Sequence, residues 1–272
     1  SKKYPHTPGI DVVGKVEESS SNQWKKEDEV IVHGFDLGMN TSGGFAEYIR
    51  VPEHWVIHKP ATLSMEECMI MGTAGFTAAL SVYKMLQNNQ KPPMGSIVVS
   101  GATGGVGSMA VSILSQLGFE VIASSGKKEN HFLKELGASK IISREALDDQ
   151  SGKVLLNYQW AGAIDTVGGN TLATLIKACG RNGNIAVCGL VASAKLQTTV
   201  YPFILNGINL LGIETAETPM DIRQEVWKLL ANDWKPKKLQ QMKEIISLDQ
   251  LDKKITSMLN GQSKGRTVVK LL

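Results

Sequence analysis

The stretch from Ser96 to Lys128 reads SIVVSGATGGVGSMAVSILSQLGFEVIASSGKK. It opens with the β-branched run Ile97–Val99, which is typical of a strand buried on both faces. A glycine-rich turn follows, and then a segment with apolar residues at helical spacing, which Gly118 ends at the position of a helix C-cap. A second apolar run, Val121–Ala123, completes the pattern. We therefore predict a βαβ unit over this stretch.

The turn inside this unit, residues 102–107, fits A-x-G-x-x-G, a dinucleotide-binding fingerprint with alanine in place of its first glycine. It lies between a predicted strand and a predicted helix, which is the context that the motif requires. Positions without a Cβ let backbone N–H groups approach a pyrophosphate, and the helix N-terminus adds partial positive charge. We predict that this turn binds a dinucleotide. The alternative is a turn that only joins a strand to a helix.

The end of the second strand indicates which dinucleotide is bound. An NAD site places Asp or Glu there, about 20 residues beyond the glycines, to bind the ribose 2′-OH. This chain instead has SSGKK at residues 124–128 and no carboxylate before Glu129. Hydroxyl and ammonium groups suit a 2′-phosphate, so we predict NADP(H) rather than NAD. The alternative is that Lys127 and Lys128 are solvated residues at the start of the next helix.

Composition excludes several classes of protein. With 42% apolar and 20% charged residues, the 272-residue chain has the composition of a soluble globular protein. A net charge of +3 without basic runs among aromatics argues against nucleic acid. No apolar run approaches membrane-spanning length, and we expect neither a membrane span nor a signal peptide. The three cysteines form no C-x-x-C, which favours reduced thiols in a cytoplasmic protein.

The hydrophobic pattern changes twice along the chain. Residues 1–60 contain short apolar runs separated by Gly, Pro, Asn and Ser, which predict a small, turn-rich β domain. Residues 61–90 change to helical spacing, with Gly72–Gly75 predicted as a turn between two helices. From Ser96 onward strands alternate with helices, which predicts an α/β fold with a doubly wound parallel sheet. A last apolar run, Thr267–Leu271, predicts a strand that returns to the first domain.

Six motifs occur in a fixed order along the chain. They are Pro8–Asp11, Lys26–Val30, Gly43–Tyr48, Gly72–Ala78, the glycine-rich turn and Gly265–Thr267. In this combination the chain resembles the zinc-free quinone-oxidoreductase branch of the medium-chain dehydrogenases/reductases. Within that branch it resembles the YhdH/YhfP group, whose members include acryloyl-CoA reductases. The resemblance spans essentially the whole chain.

The resemblance implies two domains and an incomplete beginning. A GroES-like catalytic domain would cover residues 1–70, a Rossmann-type NADP-binding domain 71–215, and a C-terminal segment, 216–272, would return to the catalytic domain. Members of the family begin with further β structure, including an Asn-Tyr dipeptide, before the motif that starts at Pro8. Since this chain opens almost at that motif, we expect a truncated protein whose GroES-like domain is incomplete at its N-terminus. The alternative is an unusual natural variant. The catalytic proton donor stays unknown for the same reason.

The sequence lacks the residues that bind zinc in zinc-dependent relatives. Zinc-dependent relatives carry Gly-His-Glu where this chain has Gly9-Ile10-Asp11, and the Ile10 side chain cannot bind a metal. The four-cysteine structural lobe is absent as well. His54 and His58 are four residues apart, but in a strand-like sequence rather than on a helix. We therefore predict no metal site.

The resemblance also implies thirteen cofactor-binding residues. Those on the pyrophosphate would be Thr103, Gly104, Gly105 and Val106; those on the 2′-phosphate would be Ser125, Gly126 and Lys127, joined by Lys140. Thr73 would lie near the carboxamide, and Leu190, Ile204, Thr215 and Asn260 would line the nicotinamide half or the domain junction. Each has a structural alternative. Thr73 would be a helix cap, Lys140 a solvated strand end, Leu190 and Ile204 core residues, and Thr215 and Asn260 turn residues.

The function that the resemblance implies is NADPH-dependent reduction of an activated C=C bond without a metal. Acryloyl-CoA, reduced to propanoyl-CoA, is the first candidate substrate. One alternative is a quinone reductase that uses the same NADPH site, and one of another class is an NADPH-binding sensor or interaction protein without turnover. The resemblance also implies a homodimer, because the predicted edge strand Asn209–Ile213 is apolar and would otherwise be exposed.

Overall fold

A parallel six-stranded sheet and a smaller antiparallel three-stranded sheet are the main β structures of the protein. The computed structural model describes residues 4–127 and 131–271. The strands are β1 (Asp11–Lys15), β2 (Glu29–His33), β3 (Val56–His58), β4 (Ile97–Val99), β5 (Val121–Ser124), β6 (Lys140–Ile142), β7 (Trp160–Asp165), β8 (Cys179–Val187), β9 (Asn209–Gly212), β10 (Lys243–Ser247) and β11 (Arg266–Lys270). The helices are α1 (Met65–Gln87), α2 (Gly105–Gln116), α3 (His131–Glu135), α4 (Gly169–Lys177), α5 (Tyr201–Asn206), α6 (Met220–Ala231) and α7 (Leu251–Leu259).

The chain divides into two compact units. The first unit contains Ser1–Phe76, Glu214–Lys235 and Leu239–Leu272, and the second contains Thr77–Ile213 and Pro236–Lys238. This is a division by contacts within the chain. The predicted functional domains, 1–70, 71–215 and 216–272, stay a prediction.

The second unit is built on the six-stranded sheet, in the order β6-β5-β4-β7-β8-β9 with all neighbours parallel. The chain runs outward from β4 through β5 to β6 and then returns to β7 on the other side of β4. The strand order therefore reverses between β4 and β7, and ligands of such sheets bind outside the carboxyl ends of the strands at this point. Ile97–Val99 of β4 is fully buried, as the continuous apolar run predicts. The predicted α/β fold is confirmed.

The first unit contains the smaller β structures. Strands β1, β2 and β3 form the antiparallel sheet, and a cluster of buried residues that includes Val32, Leu37 and Trp55 packs beside it. The last strand, β11, pairs in parallel with β10 inside the same unit. This agrees with the prediction that the final apolar run returns to the first part of the chain.

Helix α1 consists of two helical segments that meet at a kink, as the predicted break between two helices requires. The break is confined to Gly72, at φ 47° and ψ −153°, instead of extending over Gly72–Gly75. In addition, α1 is long and apolar enough to cross a membrane by length and composition, which overturns the expectation that no apolar run approaches that length. Because 72% of its most apolar window is buried, α1 has the character of a core helix.

Candidate dinucleotide-binding site

The glycine-rich turn joins the end of β4 to the N-terminus of α2. Gly104 is the N-cap of α2 in an extended conformation, and no side chain caps the helix there. The Gly104 N–H donates to the Gly101 carbonyl at 2.9 Å, and the Gly104 carbonyl accepts from the Ser108 N–H at 2.9 Å. The first amides of a helix have no partner within the helix, so those of Gly105 and Val106 are available to an anion. This helix end therefore fits a pyrophosphate.

Two glycines of this turn are required by close contacts. Gly101 has φ 58°, and a Cβ on it would lie 2.3 Å from Thr166 Oγ1. A Cβ on Gly107 would lie 2.4 Å from the Gly101 carbonyl oxygen. Gly101 thus makes the tight turn that the first glycine of the fingerprint usually makes. This explains why Ala102, which is buried, can occupy the position of that glycine.

The segment after β5 forms the second part of the site. Ser125 is buried; its N–H donates to the Ile142 carbonyl at 3.1 Å, and its Oγ accepts from the Lys127 N–H at 3.0 Å. A shallow cavity of about 270 Å³ lies against this segment, and it is lined by Ser125–Lys127, Ile141–Ser143 and Glu145. Lys128, which the sequence also suggested, lies outside the described residues. This segment offers a hydroxyl and an ammonium group at a strand end.

The strand register offsets the backbone of Lys140 from this cluster. In the parallel pairing of β5 with β6, Lys140 lies opposite Ile122, three positions before Ser125. At about 3.3 Å per residue, this puts Lys140 roughly 10 Å away along the strand, at its amino end. Lys140 has the position of its structural alternative, a strand end.

Arg144 is the basic residue near Gly126, and the sequence analysis missed it. A Cβ on Gly126 would lie 3.2 Å from Arg144 Cδ and 3.6 Å from Nη1. Arg144 follows β6 in a short 3-10 turn, is exposed, and pairs with Glu145 at 3.1 Å. Neighbouring parallel strands end at the same edge of a sheet, so residues just after Ile142 were the ones to consider. An Arg guanidinium also matches phosphate geometry better than an ammonium group does.

Two more predicted residues of the second unit are exposed. Leu190 follows β8 and is 65% exposed, and Ile204 in α5 is 68% exposed. Leu190 also borders a cavity of about 400 Å³ that Gly168, Gly189 and Leu196 help to line. Their structural alternative, core residues, does not agree with this exposure. Both side chains are accessible to a ligand.

In the first unit, Thr73 lies at the break in α1. Its N–H and its hydroxyl both donate to Asp11 Oδ1, each at 2.6 Å. Arg266 donates to Asp11 Oδ2 at 3.1 Å and to the Ile70 carbonyl at 3.1 Å. The carboxylate thus caps the helix segment that begins at Thr73, and the guanidinium caps the one that ends before Gly72. Both charges have the sign that the helix dipoles favour.

Asn260 and Thr215, also in the first unit, lie outside helices and strands, Asn260 at the end of α7 and Thr215 between β9 and α6. Asn260 is the C-cap of α7, and its N–H donates to the Thr256 carbonyl at 3.1 Å. The Thr215 carbonyl accepts from Arg223 Nη2 at 3.1 Å. Fully buried Arg223 also donates to the carbonyls of Ala216 and His33, at 3.0 Å and 2.8 Å. Arg223 therefore fixes the segment that carries Thr215.

Buried His33 should make the stability of the protein depend on pH. Burial, with Arg223 adding repulsion, holds the pKa of His33 well below its ordinary value of 6.5, and His33 Nε2 accepts from Trp227 Nε1 at 2.8 Å. As pH falls below 6.5, His33 becomes protonated in the unfolded chain but stays neutral in the folded protein. The free energy of unfolding should then decrease by up to about 1.4 kcal/mol per pH unit.

The variant His33→Gln should remove this contribution. We expect it to be less stable than the wild type at about pH 8 but to lose less stability toward about pH 5. Urea unfolding at several pH values, followed by tryptophan fluorescence, measures both properties. His131→Gln, at an exposed histidine, is the matched control and should keep the wild-type slope. A His33→Gln slope equal to that of the wild type would contradict the prediction.

The described parts of the chain contain no group of three or more His, Cys, Asp or Glu side chains that could hold a metal ion. Ile10, at the position that the resemblance compares with a zinc ligand, is apolar and partly exposed. The Ile10 side chain therefore offers no ligand to zinc at this position.

A sheet whose strand order reverses beside an uncapped helix N-terminus, with cations at the next strand end, defines a Rossmann-type dinucleotide-binding fold. Residues 105–232 match the family described as zinc-binding dehydrogenase, and residues 1–61 match the alcohol dehydrogenase GroES-like domain. The chain belongs to the medium-chain dehydrogenase/reductase family and is an oxidoreductase of that family.

Three relatives show where in the family the similarity is high. The chain is 44% identical over 272 residues to YhfP of Bacillus subtilis, named as a quinone oxidoreductase, with 99% of this chain and 82% of YhfP covered. It is 38% identical over 269 residues to the acrylyl-CoA reductase AcuI of Ruegeria pomeroyi, with 98% and 82% covered. The crystal structure of YhfP with NAD bound matches with a TM-score of 0.96 over 99% of this chain and 83% of that chain.

The third relative is the YhdH oxidoreductase of Salmonella enterica, whose structure is a complex with NADP. It is 40% identical, with a TM-score of 0.97 over 100% of this chain and 83% of that chain. The solved relatives include YhfP with NAD, the Salmonella YhdH with NADP and the E. coli YhdH with NADPH. The choice between the two dinucleotides has to be argued from the residues of this chain.

Proposed function

We propose that the protein binds NADPH and reduces an activated C=C bond, with acryloyl-CoA as the first candidate substrate. The observation that carries the NADPH part is the end of β5, where Ser125 Oγ accepts from the Lys127 N–H, Arg144 lies against Gly126, and residues 124–127 contain no Asp or Glu. The one carboxylate lining this cavity, Glu145, is paired with Arg144. The NADP complex of the Salmonella relative supports it. The name of the Ruegeria relative supports the substrate.

In this proposal the residues of the chain bind and orient the coenzyme. The first amides of α2 hold the pyrophosphate, and the Ser125 hydroxyl, the Lys127 ammonium and the Arg144 guanidinium hold the 2′-phosphate. When bound, the coenzyme supplies the hydride that, together with a proton, saturates the C=C bond. Thr73, Thr215 and Asn260 of the first unit and Leu190 and Ile204 of the second are the proposed nicotinamide-side residues. We assign no proton donor.

A quinone reductase is the second candidate, and the printed name of YhfP favours it. It would use the same nucleotide-binding residues with a planar diketone as acceptor. The non-catalytic alternative, an NADPH-binding sensor or interaction protein, predicts binding without consumption of the coenzyme.

Steady-state assays of the purified protein separate the three proposals. We expect NADPH consumption with acryloyl-CoA at a kcat/KM well above that with a small quinone. A preference for the quinone by orders of magnitude would overturn the leading proposal in favour of the second. Tight NADPH binding without turnover on an enoyl thioester, an enone or a quinone would support the third.

We also propose a homodimer through the edge of the large sheet. Strand β9 is the last strand of that sheet, and its Leu210 is 39% exposed. An unpaired apolar edge favours pairing with a second copy. Sedimentation at micromolar concentration should give a dimer for the wild type and a monomer for Leu210→Lys. A monomeric wild type would contradict this prediction.

The cytoplasm is the compartment that we propose. All three cysteines, Cys68, Cys179 and Cys188, are free thiols. Burial raises the pKa of each of them to about 12, which keeps them protonated and unreactive at neutral pH. Free, unreactive thiols suit a reducing compartment.

A further inference from the structure

Asp165, the last residue of β7, is a fully buried carboxylate held by hydrogen bonds. Its Oδ1 accepts from the Ser100 hydroxyl at 2.6 Å and from the Val167 N–H at 3.2 Å. Its Oδ2 accepts from the Gly168 N–H at 2.8 Å. Burial raises the pKa of Asp165 and these three donors oppose that rise, so the carboxylate depends on them for compensation.

Ser100 connects this carboxylate to the glycine-rich turn. The Ser100 hydroxyl donates to Asp165 and also accepts from the Thr166 N–H at 2.9 Å. The Thr166 hydroxyl donates to the Ser100 carbonyl at 3.0 Å. Two hydrogen bonds thus join Ser100 and Thr166, and the bond to Asp165 fixes the rotamer of Ser100. The two strand ends, of β4 and β7, cannot shift independently.

Gly101 follows Ser100 directly and packs against Thr166, so this network restricts its backbone. Its Cα faces Thr166 Oγ1, since a Cβ there would come within 2.3 Å of it. The Gly101 carbonyl in turn accepts from the N-cap of α2, Gly104, and a Cβ on Gly107 would lie 2.4 Å from that same oxygen. The orientation of the Gly101 peptide therefore sets the place of the first turn of α2.

The network extends to the next strand as well. The Asp165 carbonyl accepts from the Cys188 N–H at 3.0 Å, and a Cβ on Gly189 would lie 2.1 Å from the Thr166 carbonyl oxygen. The chain turns after β4, β7 and β8, which are neighbours in the sheet, are joined through residues 165 and 166. These are the strand ends beside the point where the strand order reverses.

We propose that Asp165 is a positioning residue for dinucleotide binding, acting through Ser100 and Thr166 on the Gly101 peptide and so on the amides at the start of α2. This inference rests on the proposed function, because it concerns the same nucleotide site. The Asp165 carboxylate is fully buried and its oxygens accept from protein donors, so in this proposal it acts indirectly. It fixes the backbone that binds the coenzyme, which is how supporting residues keep a binding site in its productive geometry.

Asparagine cannot replace this carboxylate. In Asp165→Asn one oxygen becomes an NH2 group, which must face either the Gly168 N–H or the Val167 N–H. Two donors then point at each other, and a buried donor loses its partner. We expect the turn after β7 to shift and the Gly101 peptide to follow it. The dissociation constant for NADPH should rise by about tenfold, with a smaller rise for Ser100→Ala.

The experiment must separate positioning from general stability. Asn184→Ala is the matched control, because Asn184 is also fully buried in the second unit and hydrogen-bonded to Gln90, but pairs with the first residue of β9 at the other end of the sheet. NADPH dissociation constants are measured by fluorescence titration, together with melting temperatures, KM for NADPH and kcat at saturating NADPH. We expect Asn184→Ala to lower the melting temperature and leave the dissociation constant at its wild-type value. Asp165→Asn and Ser100→Ala should raise the dissociation constant and KM and largely keep kcat.

Because the two residues act through one network, the double variant should bind NADPH no more weakly than the sum of the single effects predicts, and close to Asp165→Asn alone. An Asp165→Asn protein that is less stable yet binds NADPH as tightly as the wild type would overturn the inference. If that variant does not fold, Ser100→Ala and Thr166→Val test the same inference. Unchanged NADPH affinity in both of these variants would refute it. A wild type that does not bind NADPH refutes the proposed function, and this inference with it.

Discussion

Replacing Arg144 by glutamine should weaken NADPH binding by about tenfold and leave NADH binding unchanged. The two coenzymes differ only in the 2′-phosphate, so a residue that contacts this group changes the affinity for one of them. Arg144 lies against Gly126 at the end of β5, with Nη1 3.6 Å from the position of a Cβ on that glycine. The guanidinium can make the charge-assisted bonds to phosphate that an amide makes weakly.

Lys127→Gln should have a similar effect, and the double variant should lose between tenfold and about 100-fold of the NADPH preference, since two cations on one phosphate are not additive. Added salt should reduce all of these differences, because Arg144 is exposed and its charge is screened. Fluorescence titrations with NADPH and NADH at low and high ionic strength measure the ratio of the two affinities directly.

Lys140→Gln is the control that distinguishes the cation assigned from the sequence, Lys140, from the one assigned from the structure, Arg144. It removes the same kind of charge as Lys127→Gln, but at the amino end of β6, opposite Ile122. We expect it to keep the wild-type preference. A loss of preference in Lys140→Gln as large as in Arg144→Gln would show that the cation assigned from the strand register is wrong.

Lys140 shows what local sequence patterns leave open. The βαβ unit, the fingerprint and the segment at residues 124–128 follow from local patterns, and the structure has them where the sequence predicts them. Whether a lysine reaches the tip of the neighbouring strand depends on the register of β5 with β6, which no local pattern contains. The structure supplies this register, and with it Arg144.

Long-range contacts explain the other differences. The sequence predicts a turn at Gly72–Gly75, but the helix resumes at Thr73 because Asp11, 62 positions earlier, accepts from its N–H. Asp165 gave no signal in the sequence for the same reason, since its partner Ser100 is 65 positions away. Contacts between residues so far apart arise only when strands β4 and β7 become neighbours. Periodicity alone cannot reveal them.

Alanine at Gly107 should weaken both the fold and NADPH binding. The new Cβ would lie 2.4 Å from the Gly101 carbonyl oxygen and 2.7 Å from Ala102 Cα, and both are backbone atoms that must move. The overpacking should cost about 1–3 kcal/mol of unfolding free energy, of which the better helix propensity of alanine recovers up to about 1 kcal/mol. Since the atoms that move belong to the phosphate-binding turn, we expect NADPH affinity to fall by about 100-fold.

Alanine at Gly104 should separate these two effects. Its Cβ would meet only the Gly101 carbonyl oxygen, at 3.3 Å, so a shift of a few tenths of an ångström is needed, much less than for Gly107→Ala. The second glycine of the fingerprint, however, lets the backbone approach the pyrophosphate, and a methyl group there obstructs that approach. Gly104→Ala should therefore keep nearly the wild-type melting temperature and lose NADPH affinity. Gly14→Ala, where a Cβ meets nothing within 4 Å, is the control and should change neither quantity.

Thermal unfolding and NADPH titration of the three variants distinguish a binding turn from a turn that only joins β4 to α2. If the turn only joins them, affinity should follow stability, and Gly104→Ala should bind as the wild type does. If the turn holds the pyrophosphate, Gly104→Ala should be a stable protein with weakened binding. The second result is the one we expect, because α2 begins without a side-chain cap at the end of a fully buried strand.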